Sequence, residues 1–140
     1  MTIFDEIAIT YTKVKRVEEK LEYIRYQAST PKSSILSDMP KGGGTVGNPL
    51  EEYLIKQEEL VEKHKYLEDK LERQWARAVH QMNIAKIDKQ SKTMMYYRFK
   101  CNMQWKKCAA ELDRKYPNCK WNVNKCFRKY RDVLCRIRKV

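Results

Sequence analysis

Apolar residues near the start of the chain recur at Ile3, Ile7, Tyr11, Val14, Val17, Leu21, Ile24 and Ala28. Steps of three and four mark one face of a helix. Thr2 followed by Asp5 has the capping-box spacing, with Asp where Glu is usual. Lys13, Lys15, Arg16, Glu18, Glu19, Lys20 and Glu22 lie between the apolar positions, mixed in sign and able to pair on a solvated face. A helix over residues 2–28 is expected. The periodicity then stops. Pro31, Pro40, Gly42 to Gly44 and Gly47 fall in the run 29–48, which reads as a linker because no helix interior tolerates them. Lys41 and the glycines beside it are no phosphate loop: the Gly-x-x-x-x-Gly-Lys-Ser/Thr order and a preceding strand are both missing.

Asn48 as N-cap, Pro49 at the first helical position and Glu51 at the third open a second helix, expected over 49–87. Its stripe is Leu50, Leu54, Val61, Leu67, Leu71, Trp75, Ala78, Met82 and Ala85, interrupted by Gln57 and His64. At ~1.5 Å per residue it extends some ~55 Å, too long for a compact globule to bury unaided. The partner is either the first helix, folded back through the linker, or the same helix of a second subunit, so a homodimer through helices 2–28 and 49–87 is one of two solutions. Gln57 and His64 are either seam residues that fix register or edge positions; the pattern fits both. His64 and His80, sixteen residues apart on offset faces with no second ligand nearby, suggest no metal or catalytic role.

Residues 88–140 read as three shorter helices. Asp88 and Ser91 break the long helix before Met94-Met95-Tyr96-Tyr97-Arg98-Phe99, and Asn102 has the look of an N-cap. Trp105, Cys108, Ala109 and Leu112 form the next face, which ends near Arg114 because Pro117 excludes helix at Tyr116. The final helix starts at Asn118 or at Asn122; the second register is favoured, since it makes Trp121 the residue before the cap, stapled to Cys126. Val123, Phe127, Tyr130, Leu134 and Ile137 then form its apolar face. The expected fold is all-α: a long helical hairpin or coiled coil, followed by a three-helix, helix-turn-helix-like unit over 88–140.

Charge adds to this picture by its position. The net charge is +12, yet residues 86–140 hold 17 Lys/Arg against 4 Asp/Glu, a surplus of 13, so the first 85 residues carry a net −1. A one-signed surface attracts polyanions, double-stranded DNA foremost and anionic membrane as the rival. No run of some eighteen apolar residues exists to span a membrane, and Asp5 and Glu6 depart from the basic-then-apolar plan of a signal peptide, so a cytoplasmic, non-membrane protein is expected. The five cysteines are spaced by seven, eleven, seven and nine residues, without the tight pairs that position zinc, and are expected as reduced, small apolar residues. With no nucleophile-base-orienter set and no cofactor fingerprint, neither an enzyme nor a cofactor is expected.

Phosphates give affinity to DNA, and base edges give specificity. Asn122, Asn124, Lys125, Arg128, Lys129 and Arg131 place bidentate readers and cations together on the last helix, with Lys120 just before it. Lys106 and Lys107, on the preceding helix, suit the backbone. The aromatic residues Tyr96, Tyr97, Phe99, Trp105 and Trp121 could stack on bases, but their helical spacing favours core packing.

Leu36 to Gly42 (LSDMPKG), the long charged helix, Arg98-Phe99, the helix over Trp105 to Leu112 and the helix over Val123 to Leu134 follow one another in an order that resembles the ArpU/RinA-like regulators of phages infecting Gram-positive bacteria. In that family the C-terminal part is similar to sigma-factor region 4. The resemblance covers roughly residues 33–138. It departs between Asp113 and Trp121, several residues longer than the family's usual tight turn, with Tyr116-Pro117-Asn118-Cys119 in place of its common turn chemistry. The resemblance implies a sequence-specific, phage-encoded transcription regulator of late or structural genes, acting in the host cytoplasm and touching host RNA polymerase in some arrangements. Two other classes share the pattern: a DNA-packaging component of the small-terminase type, and a structural coiled-coil protein with a basic tail.

Overall fold

The computed structural model describes the backbone of residues 1–29 and 49–139, and side chains within 1–27 and 51–139. The linker, its glycines, the segment Leu36 to Gly42 and the Asn48 cap lie outside the described residues. The protein is all-α: helices α1 (Ile3–Ser29), α2 (Pro49–Ile84), α3 (Lys89–Met95), α4 (Trp105–Lys115) and α5 (Val123–Lys139), with a π-helical turn at Tyr96–Lys100 and a 3-10 turn at Pro117–Cys119. There is no strand among the described residues. Among the described residues no helix is long and apolar enough to cross a membrane. The chain groups into two compact units, 1–11 with 71–140 and 12–70, so the boundaries fall inside α1 and α2 and not in the linker or at residue 88.

In the unit 12–70, α1 buries Val14, Val17, Leu21 and Ile24, and α2 buries Leu67 while half-burying Tyr53, Gln57, Leu60 and His64. These positions alternate by three and four, the spacing of a heptad seam. Gln57 and His64 are thus seam residues. Leu54 and Val61, expected on the stripe, are 51% and 44% exposed. The seam includes the polar residues Gln57 and His64, so a purely apolar stripe drifts off it. The same correction applies at the start of α1, where Thr10 is buried and Tyr11 only half-buried. The expectation that His64 stands apart from other ligands also fails: its Nε2 lies 3.1 Å from Oε1 of Glu18 and 3.4 Å from Oε1 of Glu68. Glu18 comes from the other helix, which local spacing cannot reveal.

In the other unit, α1 begins with the expected reciprocal cap: Thr2 N donates to Asp5 Oδ2 at 2.9 Å and Asp5 N to Thr2 Oγ1 at 3.2 Å. The core joins Ile3, Phe4 and Ile7 to Ala78 and Met82 and to Met94, Met95, Phe99, Leu112 and Val133. The end of α2 explains how the chain reaches α3. Lys86 takes a left-handed conformation at φ 56°, Ile87 N donates to Met82 O at 3.0 Å and Lys86 N to Asn83 O at 3.1 Å. This is a Schellman stop with Lys where Gly is usual, sealed by the buried pair Met82 and Ile87. Asp88 then caps α3, accepting from Ser91 N at 3.1 Å and Ser91 Oγ at 2.8 Å.

Candidate nucleic-acid interface

The last two helices are held in place by the segment before them. After α3 the backbone widens into a π-helical turn, with Cys101 N donating five residues back to Tyr96 O at 3.0 Å. The turn sets Phe99 into the core, 5.0 Å from the Phe4 ring and 5.7 Å from the Tyr130 ring. Arg98 follows it inward. Its guanidinium stands 5.5 Å from the Phe99 ring centre and 5.3 Å from that of Trp105, and Nη1 donates to Met103 O at 3.1 Å. The Arg-aromatic pair is therefore a brace for the start of α4. Asn102, expected as the α4 cap, instead occupies the left-handed step at φ 54°, a conformation Asn tolerates better than most residues. Gln104 holds the cap position without a side-chain hydrogen bond.

Between α4 and α5 the chain makes a 3-10 turn and a left-handed step at Lys120, φ 50°. The final helix takes the later register. Asn122 Oδ1 accepts from Lys125 N at 2.8 Å, with Trp121 and Cys126 buried on either side of the cap. Trp121 is also fixed by its indole Nε1, which donates to Gln90 Oε1 at 3.0 Å, while Gln90 Nε2 donates to Cys119 Sγ at 3.3 Å. A single glutamine on α3 thus ties both ends of the turn to the core.

The buried face of α5 runs through Cys126 and Val133, with Tyr130 and Ile137 half-buried. Phe127, expected in that face, is 41% exposed at its edge, 5.6 Å from the Trp105 ring. At 100° per residue, Asn124, Arg128 and Arg131 point almost directly away from the buried face, and all three are exposed. Arg128 and Arg131, with Lys125, Lys129 and the single acid Asp132, line a surface concavity of about 520 Å³. The Trp105–Phe127 contact sets the start of α4, with exposed Lys106 and Lys107, beside the early turns of α5. Helix N-termini leave N–H groups unsatisfied, and α4 has neither an acidic residue in its first turn nor a side-chain cap.

These contacts sort the nine expected site residues. Asn122 is committed to the cap. Lys125 is committed as well, its Nζ donating to Cys119 O at 2.5 Å and lying 4.6 Å from the centre of the Trp121 ring. Lys129 sits in the field of Asp88. Lys106, Lys107, Lys120, Asn124, Arg128 and Arg131 are exposed, with no hydrogen bond or ion pair to another side chain among the described residues. Elsewhere in the same unit several cations are paired, Lys92 donating to Asn83 Oδ1 at 2.5 Å, Lys100 meeting Glu72 and Arg114 meeting Glu111 at 2.6 Å, while Arg73, Lys86 and Lys89 are exposed. Much of the spare positive charge thus lies on α5 and on the chain entering α4 and α5.

The thiols are not part of this surface chemistry in the core. Burial pushes Cys108 up to about 11, reinforced by neighbouring Cys126, and burial likewise raises Cys126. Both are protonated packing residues; Cys101 and Cys135 are exposed. Phe127 and the bracing role of Arg98 were not legible beforehand, since both depend on which helix Trp105 packs against. Compared with protein-family models, curated proteins and solved structures, the chain matches none.

Proposed function

We propose that this protein binds double-stranded DNA in a sequence-specific manner and regulates transcription, with α4 and α5 acting as a helix-turn-helix. The observation that carries this reading is the outward face of α5, where Asn124, Arg128 and Arg131 are exposed and unpaired while the neighbouring aromatic residues are taken up by packing. Arg reads guanine and Asn reads adenine through paired hydrogen bonds in the major groove. Lys106, Lys107 and Lys120 would meet phosphate. The resemblance in order of parts to ArpU/RinA-like phage regulators supports the narrower reading, a phage-encoded regulator of late or structural genes with host RNA polymerase as a further partner.

Selection of bound fragments from a random DNA pool, followed by affinity measurements over a range of salt, tests this. One preferred site, with affinity falling steeply as salt rises, is the expected result. A ring-shaped oligomer indifferent to sequence would favour a packaging role. Absence of any salt-sensitive DNA binding would leave a structural helical protein with a basic end.

A further inference from the structure

Among the described residues, Glu18 of α1 with His64 and Glu68 of α2 forms a group whose three ligand atoms all lie within 4.8 Å of one another. Both carboxylates approach the same ring nitrogen, at 3.1 Å and 3.4 Å. That nitrogen carries at most one proton and can give one well-aligned hydrogen bond, not two. Two like charges converging on one point are stabilised by a cation there. A protonated imidazole supplies a single charge and leaves one carboxylate poorly served. A divalent metal ion takes the nitrogen lone pair and both carboxylates together.

The spacing supports the second arrangement. Bonds of about 2.0–2.1 Å to a tetrahedral ion place neighbouring ligand atoms about 3.3–3.4 Å apart, close to the two nitrogen–oxygen separations of 3.1 Å and 3.4 Å, while the two carboxylate oxygens lie within 4.8 Å of each other. His64 and Glu68 are one turn apart on one helix face, the standard separation for two groups acting together. The site also gives one of the two polar seam residues a role: the His64 side chain is 24% exposed, against 52% for Glu18 and 57% for Glu68, so the imidazole is the more buried of the three groups. Val17, Leu21 and Leu67, their sequence neighbours, are buried and hold the two helices at that level.

We propose that Glu18, His64 and Glu68 bind a divalent transition-metal ion of the zinc type, with water completing the coordination, and so clamp α1 to α2. One imidazole with two carboxylates suits zinc or cobalt better than magnesium or calcium, which take oxygen ligands. This inference does not depend on DNA binding.

The test is calorimetric titration of the reduced full chain with zinc, repeated with Glu18→Gln, His64→Gln and Glu68→Gln, alongside the absorption spectrum of the cobalt form. The five cysteines are competing ligands, and the spectrum separates them because only a thiolate gives a sulfur-to-cobalt charge-transfer band. One equivalent bound, no such band, a raised thermal midpoint with zinc, and at least about tenfold weaker binding in each variant is the expected result. Glu68 is exposed, so its variant keeps the fold and circular dichroism verifies this. No binding by the folded chain, a thiolate band, or binding undiminished in Glu68→Gln would overturn the proposal.

Discussion

The two units use charge in opposite ways. In residues 12–70 acidic and basic side chains are mixed around a seam that is mostly Val, Leu and Ile, and one of its polar residues, His64, meets two carboxylates. In the unit built from 1–11 and 71–140, the acids present are mostly engaged: Asp5 and Asp88 cap helices, Glu72 and Glu111 pair with Lys100 and Arg114. Cations outnumber them, and many remain exposed on α5 and just before α4 and α5. A mixed-sign face keeps a helix pair solvated; a one-signed face on a helix braced by a rigid core is suited to a polyanion. The aromatic residues pack into and around that core, which is why few of them remain free to act at the surface.

The sharpest way to break this comparison is at the core of the basic unit. Phe4 is fully buried against Phe99, so Phe4→Ala should cost about 3–5 kcal/mol in denaturant unfolding. For the same reason a fragment spanning 89–140, which lacks Phe4, Ala78 and Met82, should be unfolded by circular dichroism. A stable fragment would show that the basic helices need no support from α1 and α2.

In the other unit the seam makes a paired forecast. Leu67→Ala, at a position 4% exposed, should cost about 2–5 kcal/mol, whereas Leu54→Ala should stay within about 0.5 kcal/mol. Equal costs would restore the apolar stripe in place of the heptad seam.

At the proposed interface, Arg128→Ala should weaken binding to a selected site by about 1–3 kcal/mol and relax preference at one base pair, while Lys107→Ala should weaken all sequences alike and lower the salt slope by about one. Neither change should move the thermal midpoint. Identical, sequence-independent losses would remove α5 as a reading helix.

A smaller effect is expected at Asp88. Burial raises its pKa, but the Ser91 side-chain and backbone hydrogen bonds and the charge of Lys129 outweigh it, so the carboxyl lies below its ordinary value. A carboxyl lowered on folding contributes stability above its unfolded pKa and loses it as pH falls through the folded one. Asp88→Ala should therefore cost about 1 kcal/mol at neutral pH, and the difference from wild type should shrink below about pH 4. A constant difference down to pH 2 would mean that the charge plays no part in the cap.

The smallest change is expected at the left-handed step before α5. Lys120→Gly should stabilise the fold by about 0.5–1 kcal/mol, because only glycine adopts φ 50° without a side-chain clash. Destabilisation would indicate that the Lys120 stem packs on the turn.

Periodicity and cap chemistry determined the all-α character, the placing of the five helices among the described residues, the Thr2–Asp5 cap and the later register of α5, since each is a local property carried by residues a few positions apart. Composition located the surplus charge at the C-terminal end. Tertiary packing decided what local pattern could not. Lys86 ends α2 without glycine because the buried pair Met82 and Ile87 holds the turn. Asn102 became a left-handed hinge where a cap was expected. Asn122 and Lys125 were engaged by the cap and by Trp121, leaving Asn124, Arg128 and Arg131 exposed without a partner among the described residues. Glu18 reached His64 across 46 residues. The Glu18–His64 contact lies between groups distant in sequence, and the others are short-range contacts; in each, burial and partner geometry, not residue type, set the side chain's role.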